Sequence, residues 1–432
     1  MTDTRTISRV LVADRGEVGA RLVRAVEAAG LESVAVFSDA DADAPYLDEA
    51  AYAVHIPYAG AGDPYLDADG LVTAALDSGA DAVHPGFRGL ARSEVFARTV
   101  HNVGLTWLGP RIDDLAWTLD RARARARARD AGLELLPSSP LLFLEADVVL
   151  WCERFGFPVV IRPGVRGAAR SAVAHDLPTA KRALAAAGEV GAFVERALAE
   201  ARHVAVIVVG DGAGDAVHVG EHEASVVGPA GVRLRECPSA GLDPAFRAKL
   251  GQSASDFVAA WRYFGAASVH FLIGPDGLPW FLDVDPGLPE GFALHDMVYG
   301  TDLVGAQVSL AAGEDRGWDQ EDIAPNGAAA EVSIALRGRG RLKSFSFPNR
   351  DVVDTIVSEG QRVDPAHHAV LARVRVHAPT RHAALVQLRA QLEAASIEGV
   401  QTDLAEVIAL LADRNLWEGR TARQVVHRGK HG

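Results

Sequence analysis

The chain has 432 residues, which is too long for one ordinary hydrophobic core and predicts two or three domains. Its formal net charge of −14 argues against nucleic acid or an anionic membrane as the main partner, and no apolar run is long enough to span a bilayer. Two cysteines, Cys152 and Cys237, are too few for a disulfide framework, and residues 1–5 do not begin a signal peptide, so a soluble cytoplasmic protein is expected.

The first part of the chain alternates between strand and helix patterns. Residues 9–13 form a short apolar run, residues 18–29 have helical periodicity, and residues 33–38 are again apolar and extended. The same alternation continues to about residue 115, which predicts an α/β layer with a parallel sheet over residues 5–115. No GxGxxG pattern follows the first strand, so dinucleotide binding is not supported.

Residues 112–132 are predicted to form one helix that carries the run RARARARARD. Arg121, Arg125 and Arg129 fall on one stripe of that helix, where like charges repel mildly. We interpret most of this run as a solvated helix face. The alternative is that one of the arginines serves a phosphate site.

The centre of the chain contains a loop rich in glycine and arginine and, further on, a pattern typical of a β-hairpin. Residues 163–170 follow a strand and could hold phosphate through backbone N–H groups. Two apolar runs then flank the turn residues 274–277, and pairing across that turn places His270, Asp283 and Asp285 together. Such a group could hold a divalent cation. The alternative is that His270 packs and the aspartates end a strand at the surface.

The last part of the chain is predicted to be α+β. A polar loop at residues 313–326 is a plausible domain boundary. Short strand patterns follow it, and helical patterns cover residues 381–394 and 402–413.

Several motifs together resemble the biotin carboxylase family, the ATP-grasp component of acyl-CoA carboxylases. They are, in chain order, VLVADRGEVGARLVRA, DAVHPGFRGL, TWLGP, FPVVIR, VERALAEARHV and IEGVQTD. The resemblance implies a Rossmann-like N-terminal domain (5–115), a central ATP-grasp domain (116–325) with a lid at about 135–205, and a C-terminal biotin-carboxylase-type domain (328–432). No AMKM-like lysine motif is present, so no covalently attached biotin is expected.

The resemblance also implies positions for ATP and for magnesium or manganese. The nucleotide contacts would be Arg121, Arg162, Glu195, Arg196, Leu198 and His203. The metal ligands would be His270, Asp283 and Asp285, although an imidazole suits a transition metal better than magnesium. The lid loop at residues 165–169 lacks the glycine run of the family, and its side chains should impede close approach of the backbone to phosphates.

The family's carboxylating residues are replaced at the matching positions. Gly287 stands for the bicarbonate-binding arginine and Gly291 for the catalytic base, so no catalytic residue is assigned. Further replaced positions are Phe87, Val227, Ala230, Val232, Val352 and residues 367–369. Glu290 precedes Gly291 directly, and a shift of the chain by one residue could bring its carboxylate to the position of the lost base.

Three functions follow from these observations. The first is a non-catalytic carboxylase-like subunit or regulator that binds acyl-CoA carboxylase subunits and could also bind nucleotide. It would form a homodimer or mixed dimer through the N-terminal domain near Arg15, Arg21 and Arg24. The second is a diverged ATP-grasp ligase that uses ATP and a divalent metal on another acceptor. The third is an ordinary biotin carboxylase subunit.

Overall fold

The computed structural model describes residues 6–57, 63–87, 89–198, 200–228, 231–355 and 357–421. Its N-terminal layer is a parallel five-stranded sheet of order β3-β2-β1-β4-β5. The strands are β1 (Arg9–Val12), β2 (Glu32–Phe37), β3 (Tyr52–His55), β4 (Ala82–His84) and β5 (Thr106–Trp107). The helices of this layer are α1 (Gly16–Ala28), α2 (Ala68–Asp77) and α3 (Glu94–Asn102). The predicted α/β class is therefore confirmed.

The single helix expected over residues 112–132 is instead two helices, α4 (Ile112–Leu119) and α5 (Arg121–Asp130). Asp120 separates them in an extended conformation, and its side chain accepts a hydrogen bond from the Arg123 N–H as the N-cap of α5. A short side chain that caps a helix competes with its continuation, which explains the break.

A small antiparallel sheet with its own apolar core follows. Its strands β6 (Val159–Pro163), β7 (Ala172–Ala174) and β8 (Ala192–Arg196) lie in the order β7-β6-β8. Helices α6 (Glu145–Phe155) and α7 (Leu177–Ala187) pack on it around a core that includes Val148, Ile161 and Leu184. This unit lies within the segment predicted to be the lid.

The largest sheet has eight strands in the order β13-β12-β9-β10-β11-β14-β19-β17. The remaining strands, in chain order, are β9 (Arg202–Asp211), β10 (Ala216–Gly228), β11 (Gly231–Cys237), β12 (Phe264–Ile273), β13 (Pro279–Pro286), β14 (Ala328–Ala335), β15 (Gly340–Arg341), β16 (Ser344–Ser346), β17 (Val353–Asp354), β18 (Arg362–Val363), β19 (Val370–Ala378) and β20 (Ser396–Glu398). Two short pairs, β15 with β18 and β16 with β20, form separate two-stranded sheets.

Six further helices cover this sheet and its loops: α8 (Pro244–Ala260), α9 (Phe292–Tyr299), α10 (Leu303–Ala312), α11 (Arg381–Glu393), α12 (Leu404–Leu411) and α13 (Arg414–Trp417). Helix α11 packs on β14 and β19 through Leu385 and Leu388, which are fully buried. Within the described ranges, no helix has the length and apolar character needed to cross a membrane.

Helix α1 is tied to the C-terminal strands by buried ion pairs. Arg21 Nη2 lies 2.7 Å from Asp354 Oδ2 and 3.2 Å from Glu331 Oε2, and the side chain is 8% exposed. Arg24 Nη1 lies 3.1 Å from Asp354 Oδ1 and keeps 46% of its side-chain surface exposed. Arg21 is therefore engaged in ion pairs inside the chain, whereas Arg24 keeps exposed surface.

These contacts predict an acid-sensitive contribution to stability. Burial would raise the pKa of Asp354, but Arg375, Arg21 and Arg24 outweigh it and lower that pKa to about 2. The folded-state pKa lies below the unfolded value of about 3.9. The stabilisation from the Asp354 carboxylate is therefore complete above a pH of about 3.9, and it is lost as the pH falls from there through about 2. Asp354→Asn should cost about 3 kcal/mol at pH 7.

The measurement is urea unfolding of the wild-type chain and of Asp354→Asn at pH 7 and at pH 3.5. The difference between their free energies of unfolding should be smaller at pH 3.5. The exposed Asp351→Asn is the control and should leave the urea midpoint unchanged. A difference that is the same at both pH values would contradict the assignment.

Candidate functional site

The predicted hairpin forms the edge of the large sheet. His270 pairs with Asp283, and Ser268 pairs with Asp285, across the antiparallel strands β12 and β13. The turn is closed by the Gly277 N–H donating to the Gly274 carbonyl, and Gly277 has a φ of 74°, which favours glycine. The turn sets the register from Ile273–Pro279 to Phe271–Phe281, and a one-residue bulge on β13 then places His270 opposite Asp283.

Asp283 is buried among three arginines. Arg121 Nε lies 3.0 Å from Asp283 Oδ2, and Arg166 Nη1 lies 2.5 Å from the same oxygen. Arg162 Nη1 is 3.7 Å away from it. Burial alone would raise the pKa of Asp283, but Arg166, Arg121 and Arg162 outweigh burial and lower that pKa. Asp283 is therefore an ionised carboxylate at neutral pH.

Asp285 shares one of these arginines and adds another. It pairs with Arg166 Nη2, and Arg92 Nη2 lies 2.9 Å from its Oδ1. Its Oδ2 lies 3.1 Å from His270 Nε2, which must donate because a carboxylate only accepts. Burial would raise the pKa of Asp285, but Arg166, Arg92 and His270 hold it well below its ordinary value.

Glu195 joins the lid sheet to the same cluster. Arg162 Nε lies 2.7 Å from one of its oxygens and Arg125 Nη1 lies 2.6 Å from the other. Arg125 also donates to Ser138 Oγ at 2.6 Å. Five arginines (92, 121, 125, 162 and 166) thus face three carboxylates (195, 283 and 285), and this arginine cluster carries a surplus of two positive charges.

Not every predicted nucleotide contact lies in this cluster. His203 Nε2 lies 3.0 Å from His270 Nδ1, so a hydrogen-bonded chain runs from His203 through His270 to Asp285. Arg196 is exposed, and Leu198 packs against a small apolar group with Leu136 and Leu272. Arg121, Arg162, Glu195 and His203 are brought together, whereas Arg196 and Leu198 are not.

The solvated interpretation of the arginine run is wrong for two of its members. Arg121 and Arg125 have side chains that are 11% and 8% exposed, and both are engaged in ion pairs. Arg127 stacks over Trp117 and Trp261, at 4.4 and 4.6 Å from the ring centres. Arg123 keeps 66% of its side-chain surface exposed.

The arrangement does not fit the magnesium or manganese site predicted at His270, Asp283 and Asp285. The carboxylate oxygens already contact guanidinium groups, and His270 donates to Asp285. Across the residues that the structure describes, no group of three or more His, Cys, Asp or Glu side chains has a metal-binding arrangement. Magnesium requires oxygen ligands that are free to coordinate it, and arginine occupies these.

Glu290, the proposed replacement base, is held by two arginines. Arg373 Nη2 lies 2.8 Å from its Oε1, and Arg235 Nη2 contacts its Oε2. Gly287 has a φ of 84°, and its N–H donates to the Ala266 carbonyl, which ties the end of β13 to β12. These contacts oppose the shift of Glu290 into the position of Gly291. Ala230, another replaced position, lies outside the described residues.

Sequence reasoning did not assign Arg92, Arg125 and Arg166 to the site. The signal for Arg166 was the arginine in a lid loop that lacks a glycine run, and for Arg125 its place in the arginine run. No local pattern marks Arg92, whose partner Asp285 lies almost two hundred positions further along the chain.

Comparison with known proteins accounts for all three parts of the chain. Residues 6–115 match the biotin carboxylase N-terminal domain, residues 120–316 the ATP binding domain of the carbamoyl-phosphate synthase L chain, and residues 331–428 the biotin carboxylase C-terminal domain. The alpha3 subunit of a biotin-dependent acyl-coenzyme A carboxylase from Mycobacterium leprae is 32% identical, over 94% of this chain and 71% of that protein. The chain belongs to the biotin carboxylase family. Biotin carboxylase 1 of Bacillus subtilis is 29% identical over 96% of both chains.

Solved structures of biotin carboxylases share the whole fold. The biotin carboxylase domain dimer of Hydrogenobacter thermophilus 2-oxoglutarate carboxylase, solved with MgADP, ADP and bicarbonate, has a TM-score of 0.90, 26% identity and 97% coverage of both chains. The biotin carboxylase domain of a single-chain bacterial carboxylase has a TM-score of 0.85 and 31% identity, with 96% coverage of both chains. The predicted three-part architecture, with its N-terminal, ATP-grasp and C-terminal domains, is therefore confirmed.

Proposed function

We propose that this chain is a non-catalytic member of the biotin carboxylase family, which acts in the cytoplasm by binding carboxylase subunits. The observation that carries the proposal is the pairing of Asp283 and Asp285 with Arg166. In the family, this region would hold the metal that neutralises the transferring phosphoryl group. A carboxylate pair that is already neutralised by arginine cannot serve that purpose.

The positions of the carboxylation step support the same proposal. Glycines at 287 and 291 carry no group that could bind bicarbonate or accept a proton. Glu290, the nearest carboxylate in the chain, is bound between Arg235 and Arg373. Loss of one preorganised electrostatic element commonly costs a factor of about 10² to 10³ in turnover, and several are replaced here.

The test is ATP cleavage by the purified chain with magnesium, bicarbonate and free biotin. We expect turnover at least about 10³-fold below that of the Bacillus subtilis relative assayed in parallel. Phosphate release is measured with and without bicarbonate, so that a contaminating ATPase is recognised. Turnover within tenfold of the relative would overturn the proposal and would identify an ordinary carboxylase subunit.

Binding to carboxylase subunits is tested separately. One solved relative is described as a dimer, and we propose a homodimer or mixed dimer through the N-terminal domain, where Arg15 and Arg24 keep exposed surface. Analytical ultracentrifugation of the chain alone measures formation of the homodimer. The same measurement on a mixture with an active biotin carboxylase of its own organism measures formation of the mixed dimer. A chain that stays monomeric in both samples would remove this part of the proposal.

The second candidate is a diverged ATP-grasp ligase that acts on another acceptor. The observation that favours it is the surplus of positive charge around Arg121 and Arg162, which suits a polyphosphate. Under this alternative, Arg121, Arg162, Glu195, Arg196, Leu198 and His203 contact the nucleotide. Calorimetric titration with ATP, with and without magnesium or manganese, followed by a screen of carboxylic acids and amines, separates it from the first candidate.

A further inference from the structure

Arg166 is held in place by its backbone as well as by its charge. It lies in the loop between β6 and β7, and its N–H donates to the Leu119 carbonyl at 2.9 Å. The Arg121 N–H donates to the Gly164 carbonyl, also at 2.9 Å, and Val165 bridges to Asp120. This loop is therefore attached to the junction of α4 and α5, and Arg166 points toward β13 from a fixed base.

The guanidinium of Arg166 joins two carboxylates of one strand. Its Nη1 contacts Asp283 Oδ2 at 2.5 Å, while its Nη2 contacts Asp285 Oδ1. The side chain is 14% exposed. A guanidinium spreads its charge over its nitrogens, so one arginine can form an ion pair with each of two carboxylates. Both oxygens therefore lie against one delocalised positive charge, which takes the place that a bound cation would have beside the two carboxylates.

We propose that Arg166 is the resident cation of the Asp283–Asp285 pair, that it excludes divalent metals from this site, and that its removal creates a site for them. The charge of the arginine cluster supports the proposal. The five guanidinium groups already exceed the three carboxylates by two charges. A divalent ion would double that surplus in a poorly hydrated place, where like charges repel strongly.

The inference rests on the same pairing of Asp283 and Asp285 with Arg166 as the proposed function, but its readout is metal binding and not turnover. An active enzyme would overturn the proposed function and leave this test unchanged. Conversely, tight metal binding by the unmodified chain would overturn the inference even if ATP cleavage were absent.

The experiment is a Mn²⁺ titration followed by electron paramagnetic resonance of the free ion. The wild-type chain is compared with Arg166→Ala and with Arg166→Met, which keeps most of the side-chain volume. Arg170→Ala is the matched control, because Arg170 lies in the same loop and is exposed. We expect Mn²⁺ to bind at least tenfold more tightly to the two Arg166 variants than to wild type, and Arg170→Ala to behave as wild type.

Two double variants test whether the Mn²⁺ site gained by Arg166→Ala is formed by the freed carboxylates. Asp285→Asn combined with Arg166→Ala should lose the gained affinity, since it removes one of the two freed carboxylates. Arg92→Ala combined with Arg166→Ala should bind Mn²⁺ at least as tightly as Arg166→Ala alone, because Arg92 also contacts Asp285. Equal Mn²⁺ affinity of wild type and Arg166→Ala would overturn the inference, as would no binding by any Arg166 variant that circular dichroism shows to be folded.

Discussion

Replacing Glu331 with glutamine is expected to lower the free energy of unfolding by about 4 kcal/mol. Glu331 is 1% exposed, and its oxygens lie 3.2 Å from Arg21 Nη2 and 3.3 Å from both Arg235 Nη1 and Arg373 Nη1. Burial would raise the pKa of Glu331, but these arginines outweigh it and lower that pKa. An uncharged amide leaves three buried guanidinium groups with too little negative charge around them.

Urea unfolding at pH 7 measures this effect. The control is Glu393→Gln, which breaks an exposed pair with Arg389 in α11 and should cost less than about 1 kcal/mol. Glu17 Oε1 also lies 3.1 Å from Arg373 Nε. A Glu331→Gln variant as stable as the control would show that Asp354, Glu17 and Glu290 suffice to neutralise the three arginines.

The second large effect is expected for Glu195→Gln, at about 3 kcal/mol. Glu195 on β8 is 3% exposed and joins Arg162 on β6 to Arg125 on α5. It therefore connects the lid sheet to the helix that packs under β13. Without its charge, Arg125 loses its one carboxylate partner among the described residues and keeps the neutral groups of Ser138 and Leu136 and the ring of Phe193.

Glu195→Gln should also change the dynamics of one region more than the rest. Hydrogen exchange should accelerate in β6 and β8, while β1 and β2 of the parallel sheet should be unaffected. Glu189→Gln, an exposed change in the same unit, provides the comparison. Uniform acceleration across the chain would mean that Glu195 stabilises the whole fold and not the attachment of the lid sheet.

The sequence was sufficient for the elements that local chemistry dictates. Short apolar runs predicted β1 and β2 to within a residue at each end, and the cluster at residues 274–277 predicted the turn between β12 and β13. Both rest on short-range rules of side-chain alternation and turn geometry. The break at Asp120 was missed because the helical pattern continues through it, although aspartate is a good N-cap.

The sequence was insufficient for the charges around the hairpin. It placed Asp283 and Asp285 together, but the groups that neutralise them come from Arg92, Arg121 and Arg166, in three separate segments. Periodicity carries no information about such distant partners. A carboxylate pair therefore predicted a metal, whereas the fold supplies guanidinium groups at the same place.

The eight-stranded sheet has a consequence for how the chain can be divided. Strand β11 belongs to the segment matched by the ATP binding domain, and it pairs directly with β14, which leads into the C-terminal domain. Cleavage in the loop at residues 313–326 would leave unpaired strand edges on both fragments, and such edges seek a partner. We expect the two fragments to be insoluble when made separately and to reconstitute one complex when co-expressed. The family matches divide this region into an ATP binding domain and a C-terminal domain. The hydrogen bonds between β11 and β14 join the two in one sheet, so we expect them to fold as one cooperative unit.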